Sequence, residues 1–78
     1  MGQTPEPRTV EIRDASIRLG QLLKLADLVD DGSEAKVVLL QGLVEVNGAV
    51  ETRRGRQLVP GDVVSLAGQT VGITSRGH

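Results

Sequence analysis

Three arginines lie within four residues of this chain, in the run Glu51-Thr52-Arg53-Arg54-Gly55-Arg56. Arginine carries a planar fork of donors that matches phosphate oxygens, and its charge does not titrate away. A cluster of this kind on a small folded unit suits contact with a nucleic-acid backbone. Arg18 and Lys36 each fall near the expected start of a helix, where a phosphate could also meet free backbone N–H groups. Lys24 is expected to pair with Asp27, about one helical turn away. Asn47-Gly48 can bring backbone close to a ligand, although turn geometry alone accounts for both residue types. Gly61-Asp62 is assigned to structure for the same reason.

Little else in the sequence offers chemistry. The single histidine is the terminal His78, and cysteine is absent. There is no Ser–His–Asp arrangement, no metal-ligand cluster and no phosphate-binding glycine loop with a lysine. The chain is therefore read as non-enzymatic, with no cofactor and no metal. The absence of Phe, Trp and Tyr removes every aromatic platform on which a base could stack. Nucleic-acid contact would then rest on charge, backbone groups and shape.

Seventy-eight residues make one domain near the lower size limit for unaided folding. Net charge is −1, from 9 basic and 10 acidic side chains. Taken alone the sum argues weakly against nucleic acid, but the distribution separates Asp27, Asp30 and Asp31 from Arg53, Arg54 and Arg56. No apolar run is long enough to cross a membrane and no signal peptide is evident, so a monomeric cytoplasmic protein is expected.

The elements that must position the arginines follow from periodicity. Residues 1–8 contain two prolines and read as a disordered tail, residues 9–74 as the domain, and residues 75–78 as a frayed end. Val10-Glu11-Ile12-Arg13 alternates as a strand with one buried face. Ser16 is expected to cap a helix starting near Ile17, with Leu19, Leu22, Leu23 and Ala26 on its inner face. Leu25, Leu28 and Val29 widen that apolar stripe. Asp31 and Glu34 have the spacing of a capping box for a second helix, which runs to about Gln41 and stops at Gly42. Ala35, Val38 and Leu39 form its inner face.

Val44-Glu45-Val46 reads as a strand before the Asn47-Gly48 turn. A two-residue loop would set Val50 opposite Glu45. A three-residue loop would set it opposite Val44, and is preferred because it keeps valine on one face. Val59-Pro60-Gly61-Asp62 fits a type II turn. Val63–Leu66 and Thr70–Ile73 are the last strands, joined around Gly68.

From Arg18 to Leu66 the chain resembles the S4 domain, an RNA-binding module. Arg18-Leu19 match its opening, and Glu34-Ala35-Lys36 its second helix. Gly42-Leu43-Val44-Glu45-Val46-Asn47-Gly48 match its hairpin, and Gly61-Asp62-Val63-Val64 its close. Two positions depart from the pattern. Gly20 replaces the opening aspartate, and Asp31-Gly32 replaces a Ser-Arg pair.

The resemblance implies an α+β fold, with two packed helices against a small, mostly antiparallel sheet. It implies structured RNA, ribosomal or transfer, as the partner. Arg53, Arg54, Arg56, Arg18 and Lys36 would be the contacts, with Asn47 and Gly48 secondary. One alternative is a protein-binding adaptor using Leu25, Leu28 and Val29 as an exposed patch. Another is a β-grasp sulfur carrier, which is also small but needs a free C-terminal Gly-Gly; this sequence ends Arg76-Gly77-His78.

Overall fold

A computed structural model describes residues 8–75. Of the tail expected over residues 1–8, residues 1–7 lie outside the described residues, as do residues 76–78 of the expected frayed end. Strand β1 (Arg8–Ile12) and the short strand β2 (Ile17–Arg18) lead into helix α1 (Leu19–Leu25) and helix α2 (Gly32–Leu40). Then follow β3 (Val44–Val46), β4 (Ala49–Val50), β5 (Gln57–Leu58), β6 (Val63–Leu66) and β7 (Gln69–Ser75). Five strands form one sheet in the order β1-β7-β6-β3-β4, parallel only between β1 and β7, while β2 and β5 form a separate antiparallel pair. The expected α+β fold, a helix pair against a mostly antiparallel sheet, is present.

Alternation along the strands builds the core. Val44, Val46, Val64, Leu66, Val71 and Ile73 are buried, and Leu19, Leu22, Leu23, Ala26, Ala35 and Leu39 of the helical segment pack into the same cluster. The core contains no aromatic side chain, so close packing of branched aliphatic groups must supply the burial free energy. The stripe expected to need two partners divides. Val29 is buried and Leu28 packs partly against the core, whereas Leu25 is 59% exposed. The three-residue adaptor patch is therefore not assembled.

Four local expectations change. Arg8 belongs to β1 rather than to a tail: its guanidinium donates to the Ala26 carbonyl at 2.5 Å, where α1 ends, and to Gln69 Oε1 at 3.3 Å. A cation there complements the negative end of the helix. At the other end of the chain, Ser75 is still within β7, opposite Ile12.

The third change is at the hairpin, which uses the two-residue loop with Glu45 opposite Val50. Asn47 (φ 54°) and Gly48 (φ 86°) are both left-handed. That gives a type I′ turn, whose twist matches the strands and outweighs valine alignment. Val50 is consequently 58% exposed.

Last, Ser16 does not cap α1. Ile17 and Arg18 are extended and paired with Leu58 and Gln57, so the helix starts at Leu19 with Arg18 at the cap position and no side-chain cap. Its first donors are met from elsewhere: Leu19 N–H reaches the Arg56 carbonyl at 2.8 Å, and Gly20 N–H the Arg54 carbonyl at 3.0 Å.

The second helix follows expectation. Glu34 N–H donates to Asp31 Oδ1 at 2.9 Å, and Gly42 takes φ 72° just past the end. The Glu34 carboxylate reaches back to Asp30 N–H at 2.7 Å, one residue further than a standard capping box.

Candidate nucleic-acid interface

The arginine loop is built around Glu51, which is only 7% exposed. Thr52 N–H and Arg53 N–H each donate to Glu51 Oε2 at 3.1 Å. Arg53 Nε follows at 3.2 Å, and Arg56 Nη1 donates to Oε1 at 2.9 Å. These bonds, led by the one from the Arg53 guanidinium, hold the Glu51 carboxyl at a pKa of about 2. A nearly buried carboxylate must be paired and hydrogen-bonded, and two of the three arginines do that here.

Arg54 has a different setting. No ion pair joins it to an acidic side chain among the described residues. Its backbone carbonyl holds Gly20 N–H, and its aliphatic stem lies over Gly20: a Cβ at that glycine would meet Arg54 Cγ at 2.5 Å. The glycine that departs from the S4 pattern is thus the place where the arginine stem crosses the helix. An aspartate there would force that stem to move.

This docking opens a cleft of about 460 Å³, lined by Arg18, Gly20, Gln21, Lys24, Gly32, Ala35, Arg54 and Gly55. Three cations and no carboxylate line it. Lys24 enters contrary to expectation. Asp27 lies beyond the end of α1 with φ 61°, and no Lys24–Asp27 ion pair forms. Arg54 also borders a smaller, adjoining cleft of about 240 Å³, with Lys36, Leu39, Leu40 and Thr52. The geometry therefore gathers Arg18, Lys24, Lys36 and Arg54. Arg53 remains largely solvent-exposed although bound to Glu51, and Arg56 is more covered.

The N–H groups expected to be free at the start of α1 are not all free, since Leu19 and Gly20 donate to the loop. Asn47 and Gly48 sit at the turn end of the β3–β4 hairpin, while Glu51 N–H bonds the Val44 carbonyl at its base. Asn47 is engaged in the fold. Its Nδ2 donates to Asp62 Oδ1 at 3.0 Å, and its Oδ1 accepts from Val63 N–H at 2.9 Å. Sequence reasoning missed Glu51 and Gly20. A lone carboxylate opening an arginine run was the available signal for the first. The role of Gly20 depends on a contact between residues 34 positions apart and left no local trace.

The chain is similar to known proteins. The Escherichia coli protein named "Putative RNA-binding protein YbcJ" is 41% identical over 59 residues, which span 76% of this chain and 84% of that protein. The Bacillus subtilis protein named "Probable ribosome maturation protein RlbA" is 46% identical over 59 residues, 76% of this chain and 83% of that one. The solution structure of YbcJ from E. coli, described as revealing an αL motif involved in RNA binding, matches with a TM-score of 0.71. Its sequence identity is 33%, and the match covers 95% of both chains. The S4 domain family itself matches residues 10–74. Two consecutive helices, the Gly42–Gly48 hairpin and the Gly61-Asp62 close thus fall within one continuous match, and the chain belongs to the S4 domain family.

Proposed function

We propose that this protein binds structured RNA without catalysing a reaction, by seating a stretch of phosphate backbone in the cleft lined by Arg18, Lys24 and Arg54. The observation that carries the reading is that three cations line this cleft and no acidic side chain does. Lys36 extends the basic surface from α2, and the exposed Arg53 adds to the field. Arg56 chiefly holds the loop in shape. Asn47 and Gly48 remain secondary contacts, offering backbone rather than side-chain groups. A rigid pair of helices carrying fixed charges suits recognition of RNA by shape and backbone.

Membership of the S4 domain family and the RNA-binding description of YbcJ support RNA as the partner. The name of the B. subtilis relative favours ribosomal over transfer RNA. No described helix is long and apolar enough to cross a membrane.

The test is a salt series with a structured ribosomal RNA fragment. Log affinity should fall linearly and steeply with log salt, as counterions are released. Replacing Arg18, Lys24 and Arg54 together with Ala should flatten the slope by roughly two to three units, at about 0.7–0.9 per phosphate contact. Over a roughly fourfold rise in salt, from about 50 to 200 mM, the parent's affinity should fall roughly 20–40-fold further than the variant's. A flat plot for the parent would remove the phosphate-cleft reading.

A further inference from the structure

The adjoining cleft differs in character from the cationic one. It is lined by Leu39, which is buried to 1% exposure, and by Leu40, which is 68% exposed. Thr52, Arg54 and Lys36 complete its lining. Leu40 is not part of the core, and it lines this cleft beside two cations. At about 240 Å³ the cleft is smaller than the roughly 300–1,000 Å³ of pockets that enclose whole small-molecule ligands. It has room for one flat ring system.

We infer that this slot receives a single unpaired RNA base, held between the Leu40 side chain and the Arg54 guanidinium while the flanking phosphates lie in the cationic cleft. The inference rests on the RNA-binding reading above and adds what that site selects. The argument is one of continuity and charge. Arg54 borders both clefts, so a nucleotide whose phosphate meets the cationic cleft has its base within reach of the slot. A guanidinium plane can stack on a base where aromatic side chains are lacking. The Thr52 hydroxyl can both donate and accept, so it can serve either kind of base edge. A fully paired helix keeps its bases inside and cannot fill the slot, so the protein should prefer RNA in which one nucleotide is already unpaired.

The experiment compares a perfectly paired RNA hairpin with the same hairpin carrying one bulged nucleotide, titrated with the full chain at two salt concentrations. The parent should bind the bulged RNA about fivefold more tightly, the low end of what one stacked base contributes. Leu40→Ala removes that apolar side chain without changing charge. It should bring the two affinities together while leaving the salt slope unchanged, and circular dichroism should show the fold retained because Leu40 is exposed. Thr52→Val should change which base is preferred in the bulge rather than the salt slope. Steep salt dependence with equal affinity for the two RNAs would overturn the slot alone. So would a bulge preference that survives Leu40→Ala. Flat salt dependence with both RNAs would remove the phosphate reading and the slot with it.

Discussion

The turn at residues 59–63 and the loop at residues 51–56 are each organised by one carboxylate. Asp62 accepts from Asn47 Nδ2 and from Val59 N–H at 2.9 Å, while its own N–H donates to the Val59 carbonyl at 3.0 Å. Its partners are backbone groups and an uncharged amide, and they pin the last hairpin to the first. Glu51 also gathers two backbone N–H groups, but its other partners are Arg53 and Arg56. The first carboxylate closes a turn. The second shapes a loop whose remaining arginine, Arg54, is laid across Gly20 toward two clefts. Three arginines within four residues do not make three free phosphate ligands, because some of them shape the loop that presents the others.

Breaking the turn should have the largest effect on folding and leave RNA recognition nearly untouched. Asp62→Ala removes hydrogen bonds to Val59 and Asn47 together, and should cost about 1–3 kcal/mol in a denaturant melt. Its salt slope for RNA should match that of the parent, since neither Asp62 nor its partners Val59 and Asn47 line either cleft.

Altering the loop should do the converse. Glu51→Gln makes the chain more basic by one charge, so a mechanism of charge alone predicts tighter RNA binding. If Glu51 shapes the loop, binding should weaken a few-fold, because a loosened loop no longer fixes Arg54. Affinity at one low salt concentration separates the two cases.

Acid should reveal the same carboxylates. The Glu51 pKa is lowered from 4.5 to about 2, chiefly by hydrogen bonds from the Arg53 and Arg56 side chains. Asp62 is lowered too, first by the Val59 N–H bond and then by Asn47. A depressed folded-state pKa adds stability that is complete above the unfolded value and lost as pH falls toward the folded one. The melting temperature should hold from neutrality to about pH 5 and fall as protons bind below that. Glu51→Gln should show a shallower fall than the parent. Equal slopes would mean that Glu51 is not held by the arginines in solution.

The legible and illegible parts of the molecule divide along the range of their interactions. The second helix was readable because its signals are local: Asp31 caps it, and Gly42 adopts the left-handed conformation that ends it. The core faces of both helices followed from 3.6-residue spacing. The start of the first helix was not readable, because pairing of Ile17–Arg18 with Gln57–Leu58 overrides a nearby serine cap. Valine alignment points to the wrong hairpin register, because the twist demanded by Asn47-Gly48 outweighs it. At the site, the arginine cluster was visible. Its division between Glu51 and the cleft was not, and neither was the entry of Lys24, because both depend on how the loop docks against α1.

The central claim is that Arg54, rather than the arginine run as a whole, meets the RNA backbone. The most direct measurement is the salt slope of RNA binding for Arg54→Ala and Arg53→Ala side by side, with folding confirmed for each. Arg54→Ala should reduce the slope by about 0.7–0.9, one phosphate contact. Arg53→Ala should reduce it by clearly less, because that guanidinium is bound to Glu51. Equal reductions, or a larger one for Arg53→Ala, would contradict the account.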